Sequence, residues 1–268
     1  MNFICVTCGT QFAESSTPPA RCPICEDERQ YVGLDGQQWT TLDELRGHSH
    51  NLIREEEHNL VSIVTQPKFG IGQRAFVIQT ADGNLLWDCL SLLDDIACDR
   101  IASMGGLRAI AISHPHYYTT MVEWSRAFGN APIYLHDADC EWVMRRDDAI
   151  AFWSGETQPL FGGLTLIRGG GHFEGGTLLH WRDGAGGKGS ILSGDVIQVV
   201  PDRRWVSFMY SYPNYIPLGP ASVQQLLNVV QPFEFDRIYG AFTGLTVATD
   251  GKAAILRSAD RYLARLLT

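Results

Sequence analysis

The sequence predicts a two-part α/β (α+β) protein: a small four-cysteine module, then two sheets packed face to face with helices outside them. Three observations carry this expectation. Two C-x2-C pairs, Cys5/Cys8 and Cys22/Cys25, are bunched at the start of the chain. From about Leu60 onward, strand-like and helical runs are interleaved in two blocks, each accompanied by its own helices. No apolar run approaches the ~20 residues that span a bilayer, so the 45% hydrophobic content belongs to an ordinary globular core.

The first element is the cysteine module. "CVTC" and "CPIC" are separated by thirteen residues. Each pair forms a tight turn that aims two thiolates at one ion, and two such turns complete a tetrahedral S4 shell. Gly9 supplies the backbone freedom such a turn needs. Residues 1–38 therefore resemble a zinc-ribbon or rubredoxin-like module with Cys5, Cys8, Cys22 and Cys25 as ligands. Zinc is the expected ion, and iron suits the same donors. A module this short needs its ion to fold. Residues 39–54 are expected as a linker, with a short helix in "TTLDELRG" capped by Thr41 and Glu44. His48 and His50 fall in this polar stretch and are expected to be solvated.

The main part, residues 55–268, follows in order. "RAFVIQT" and "NLLWD" are strands joined at the hairpin signal "ADG". "SLLDDIACDRIASM" has helical spacing and stops at Gly105-Gly106. "LRAIAIS" is a buried strand, "TTMVEWSRAFG" a helix, "APIYLH" a strand, and "DADCEWVMRR" a helix capped by Asp137. Strands dominate next: "GGLTLIRGG", "GTLLHW" and "GSILSGD", with "RDGAGGKGS" as a hairpin loop. The tail is helix–strand–helix: "ASVQQLLNVV", "DRIYGAF" and "AAILRSADRYLARLL".

Charge excludes some functions. A net charge of −9 opposes a phosphate backbone, so nucleic acid is not an expected partner, and neither is a membrane. The N-terminus lacks the basic and apolar regions of a secretory signal, and a cytoplasmic location is expected. In a reducing compartment bunched cysteines are metal ligands rather than disulfides.

Four residues outside the module attract a functional reading. His114 and His116 end one strand, His172 follows the glycine run "RGGGHFEGG", and Asp195 ends "ILSGD". Residues on loops at one edge of a rigid sandwich are well placed to form a site. The order H-x-H, G-H-x-x-G and S/T-G-D resembles the metallo-β-lactamase superfamily over about residues 55–268. The resemblance implies an αββα metallo-β-lactamase sandwich. It implies that His114, His116 and His172 are the imidazoles of the first metal position, and that Asp195 is the carboxylate that normally bridges two metals. It also matches Asp88 to an acid that supports the site from behind.

The departures from the family pattern are specific. The family's first motif continues with Asp and His, where this chain has Tyr118 and Thr119. Its last histidine should fall within "RIYGAFTG", where Ala241 or Phe242 stands. Joint absence of three second-metal ligands implies a mononuclear centre holding one zinc or iron.

One ion with three imidazoles and a carboxylate suits a metal-dependent hydrolase acting on a small-molecule substrate. Asp195 is the candidate base and Tyr118 a candidate hydrogen-bond donor to a developing oxyanion. With iron, the resemblance extends to persulfide dioxygenases, an oxidoreductase alternative; a non-catalytic ligand- or partner-binding protein is the third. The aromatic stretch "DRRWVSFMYSYPNYIPLG" suggests either a substrate cleft lined by Trp205, Phe208, Tyr210, Tyr212 and Tyr215 or a homodimer interface. Arg203 and Arg204 could attract an anionic group, though surface arginines are usually just solvated. Cys89, Cys98 and Cys140, like His136 and His180, are expected to be structural.

Overall fold

A computed structural model describes residues 1–266. Among them, a seven-stranded sheet and a six-stranded sheet form the body of the protein. The first runs from an edge strand at His50–Glu57 through antiparallel neighbours to Gly83–Trp87. Parallel strands at Ala109–Ala111, Ile133–His136 and Ile150–Trp153 complete it. The second has Thr157–Pro159, Leu164–Arg168, Thr177–Trp181 and Ser190–Leu192 in antiparallel order. Arg237–Tyr239 then pairs in parallel with Ser190–Leu192.

The period-2 alternation of side chains along each strand builds three layers of core. Phe76, Ile78, Leu85, Trp87, Ala109 and Ala111 of the first sheet meet Leu164, Leu166, Leu179, Trp181, Leu192 and Tyr239 of the second. The alternate residues Ala75, Val77, Leu86 and Ile110 face outward, in a cluster that takes in Ile101 of the Asp95–Ser103 helix and Trp124 of the Met121–Ala127 helix. Ile167, Leu178, Ile191 and Ile238 pack beneath the Pro220–Val230 and Gly251–Leu266 helices through Val223, Leu226, Ala254 and Ile255. A helix–sheet–sheet–helix sandwich follows directly from these two faces. No described helix is long and apolar enough to cross a membrane.

Local expectations are met in some places and corrected in others. The 39–54 stretch is ordered structure: Trp39–Thr40 pairs with Ile4–Cys5, Leu42–His48 is a helix, and His50 opens the edge strand. The Thr41–Glu44 capping box is present, and His48 and His50 are exposed. The expected helix after Asp137 is a 3-10 segment over Asp137–Trp142, and His136 caps it by accepting from the Ala138 N–H at 3.1 Å. Cys140, expected to be structural, is exposed, whereas Cys89 is buried. The helix at "SLLDDIACDRIASM" begins only after Asp94, whose carboxylate accepts from Ala97 N–H. His136 and His180 bond to backbone carbonyls, of Gly155 and Glu234 respectively.

Candidate metal centres

The cysteine module brings its four thiols together in the buried interior. Cys5 Sγ lies 3.5 Å from Cys25 Sγ, and Cys8 Sγ 3.7 Å from Cys22 Sγ. A tetrahedral ion with ~2.3 Å metal–sulfur bonds needs sulfurs roughly 3.8 Å apart, so the donor set fits. Gly9 turns at φ +82°, which the first knuckle requires. Thiol-to-thiol hydrogen bonds, chiefly from Cys22, hold Cys5 far below its ordinary pKa and push Cys25 and Cys8 up.

The second cluster gathers His114, His116, His172 and Asp195, again buried, with their ligand atoms within 4.8 Å of one another. His172 Nε2 is 3.2 Å from His116 Nδ1, and His114 Nε2 is 3.7 Å from Asp195 Oδ2. Two ligands of one tetrahedral ion with ~2.0–2.1 Å bonds sit roughly 3.3–3.4 Å apart, which matches this set. Three atoms of these side chains, His114 Nε2, His116 Nε2 and Asp195 Oδ1, are buried with no hydrogen-bond partner, which fits a group that holds a cation.

Local structure explains how each side chain arrives. The strand Ala109–Ala111 leads into His114, the residue just before a 3-10 turn over Pro115–Tyr117 that carries His116. Ser113 Oγ contacts His114 Nδ1 at 2.8 Å, and Ser113 N–H donates to Asp88 Oδ1 at 2.8 Å. Asp88 itself sits at φ +60°, a left-handed position that places its carboxyl behind the motif. Gly170 and Gly171 reach His172 at φ +65° and +80°. The His172 ring is oriented by its Nδ1, 2.8 Å from the Tyr210 carbonyl. Gly194, at φ +54°, packs so close to Ser113 that a Cβ there would lie 2.5 Å from its hydroxyl.

Burial sets the electrostatics. It holds His114 and His116 well below the usual imidazole range and His172 at about 4, so all three are neutral and able to ligate. The same burial lifts Asp195 and Asp88 to about 7. A cation beside Asp195 would reverse that direction.

The expected residues do not all converge. Tyr118, expected as an oxyanion donor, is buried in the cluster under the first sheet, and Asp139 and Arg146 rather than Asp195 are its charged neighbours. Tyr117 faces Asp195 instead: burial and the Asp195 charge hold its phenol well above the ordinary value, and its hydroxyl has no hydrogen-bond partner. A 3-10 turn advances about 120° per residue, so neighbouring tyrosines point to different sides. Thr119, at φ +38°, gives its carbonyl to Gln11 N–H of the cysteine module. Of the two residues at the missing last histidine, Phe242 lines the cavity beside the cluster, and Ala241 is buried with its carbonyl accepting from Arg74 N–H.

That cavity, about 220 Å³, is lined by His116, His172 and Asp195 together with Thr7, Arg29, Gln30 and Tyr31 of the cysteine module. Of the aromatic loop, Tyr212 borders the cavity and donates from its hydroxyl to the Asp195 carbonyl at 2.9 Å. Phe208 is buried in the second-sheet core, Tyr215 is exposed, and Trp205 carries the Arg261 guanidinium 3.7 Å above its ring. Arg204 pairs with Asp202 at the surface. Arg29, Ser113 and Tyr117 were not singled out by the sequence. Only Ser113, adjacent to the first histidine, carried a local signal.

No family model matches the chain. A curated relative, the uncharacterized protein YmaE of Bacillus subtilis strain 168, is 52% identical over 266 residues, covering 98% of this chain and 96% of its own. Among solved structures, the metallo-β-lactamase TMB-1 superposes with TM-score 0.62 at 14% identity, over 81% of this chain and 99% of its own. The metallo-β-lactamase DIM-1 gives 0.60 at 14% identity, over 82% and 98%. These likenesses establish the fold.

Proposed function

Because this chain belongs to the family of the Bacillus subtilis protein YmaE and is built on the metallo-β-lactamase fold, we propose that it is a metal-dependent hydrolase of a compact small molecule, with one ion at His114, His116, His172 and Asp195. The observation that carries the proposal is the convergence of three buried, neutral imidazoles with the Asp195 carboxyl, beside a cavity that Phe242 lines where a second ion's last histidine would stand. When bound, the ion supplies Lewis acidity and lowers the pKa of water toward ~7.

The chain's own residues supply the rest. Asp195 Oδ2 faces His114, and Oδ1, free of protein partners, is the atom left to accept a proton from water. Tyr117, held protonated by burial and the nearby Asp195 charge, faces that carboxyl without a hydrogen bond to it. Gln30 and Gln198 border the cavity, and each has a buried carboxamide oxygen without a partner, ready to accept from a substrate N–H or O–H. A cavity of about 220 Å³ lies below the ~300–1,000 Å³ of drug-sized sites, which favours a short acyl compound over a bulky one.

The first test is elemental analysis of the purified chain beside His114→Ala. Two ions per chain in the wild type and one in the variant support the proposal, and iron as the lost element would point to oxygen chemistry instead of hydrolysis. Esters, thioesters and lactams of graded size, assayed on the filled protein, then test hydrolysis itself; no turnover of any of them would sink it.

A further inference from the structure

The segment after the second cysteine knuckle does more than follow its ion. Asp27 closes the Pro23–Glu26 turn by donating its N–H to the Pro23 carbonyl. Its carboxylate then grips Arg29 with two bonds, Nε to Oδ1 at 2.6 Å and Nη2 to Oδ2 at 2.9 Å. The Arg29 side chain is only 11% exposed. Its guanidinium lies 3.9 Å above the Phe173 ring, between Trp142 at 5.1 Å and Tyr210 at 5.4 Å, and Nη1 donates to the His172 carbonyl at 3.4 Å. Phe173 is the next residue after His172, and Tyr210 provides the carbonyl that orients the His172 ring. On the other side, Asn214 Nδ2 donates to the Glu28 and Gln30 carbonyls at 2.8 and 3.0 Å. That ties the same segment to the loop whose Tyr212 supports Asp195.

We propose that the four-cysteine module is a working wall of the histidine–aspartate site, and that Arg29 is the positioning residue through which a filled four-thiolate site strengthens ion binding at His172 and Asp195. The physical basis is preorganisation. A planar, always-charged fork held by Asp27 and stacked on Phe173 removes freedom from the His172 loop before any ion arrives. Such supporting contacts commonly change metal affinity by 10–100-fold. Because coupling between two sites is reciprocal, the two ions should help one another. The proposal rests on the four-donor cluster being a metal site, but not on hydrolysis.

The test titrates the full-length, ion-filled chain with a chromogenic zinc chelator and follows which ion leaves. Arg29→Met should release the histidine–aspartate ion at about 10-fold or more lower chelator concentration, with the four-cysteine ion retained. Arg29→Lys, which keeps charge but loses the fork, should behave like Arg29→Met. Cys22→Ser should weaken the histidine–aspartate ion comparably, and adding it to Arg29→Met should bring little further loss, since both act through one link. Unchanged release in Arg29→Met, rescue by Arg29→Lys, or additive losses in the double variant would each overturn the proposal. If Cys22→Ser does not fold, the two Arg29 variants decide alone. A wild type holding only one ion per chain would instead overturn the metal-site assignment. Two ions without ester hydrolysis would remove only the hydrolase reading.

Discussion

His172 Nδ1 lies 2.8 Å from the carbonyl oxygen of Tyr210, and this contact decides what the opposite nitrogen can do. A neutral imidazole that donates from Nδ1 presents the lone pair of Nε2, which faces His116 Nδ1 at 3.2 Å. The loop after Asp195 therefore selects the ligating form of a histidine that precedes it by 38 residues in sequence.

Removing that ligand gives the first expectation. His172→Ala should cost one metal equivalent per chain and leave the four-cysteine ion in place, read by elemental analysis of matched samples. Loss of both ions, or of neither, would contradict the assignment of two separate centres.

Cys25→Ser addresses the other centre. Replacing one of four thiolates 3.5–3.7 Å from their neighbours should release the module's ion, because structural zinc sites hold their fold through the metal. The check is metal content together with proteolysis, which should cut within the first 35 residues of the variant and spare the wild type.

Asp139 gives a pH-dependent expectation. Burial raises its carboxyl to about 6, although Gly175 N–H donates to it at 2.8 Å. The folded-state pKa exceeds the unfolded one, so the protonated form is favoured in the fold and stability falls as pH rises from about 4 through 6. Asp139→Asn keeps an acceptor for Gly175 and removes the charge. Urea unfolding should show the variant more stable by on the order of 3 kcal/mol at pH 8, with about half that gain at pH 5. A gain that is equal at both pH values would mean that ionisation is not the cause.

Placing an acid at Tyr118 should fail for reasons of packing. Tyr118 is 2% exposed and lies among Val122, Trp124, Leu135 and other apolar side chains. Tyr118→Asp would bury an unpaired carboxylate and leave a void, costing about 4 kcal/mol or more. Elemental analysis should find no additional ion in Tyr118→Asp combined with Phe242→His, and uptake of one would show that the site accepts two.

Much of this was legible along the chain. The period-2 strands and the Thr41–Glu44 capping box depend on neighbours a few residues apart, so local pattern is enough to find them. The four cysteines declare themselves by spacing, since two x2 turns suffice to make a tetrahedron. The histidines and Asp195 declare themselves only as an ordered set, because each alone would serve equally well in a core or a turn. The stretch after Asp137 is a kinked 3-10 segment instead of a helix: Asp139 leaves helical geometry at φ −105° and ψ 15°, and its buried carboxyl accepts from Gly175 N–H, a contact 36 residues away that no local pattern carries.

By itself, then, the sequence pointed to the layered sandwich through short-range periodicity, and to the two groups of residues that converge in the fold, the cysteines through spacing and the histidines and Asp195 through their order. Tertiary structure alone decided that Tyr117 and not Tyr118 turns toward Asp195, that Phe242 takes the vacant wall, and that Arg29 reaches His172 across 143 residues of chain. The physical reason is the range of the forces involved. Backbone geometry and alternation act between near neighbours, whereas stacking, cavity walls and hydrogen bonds to distant carbonyls exist only once the chain has closed on itself.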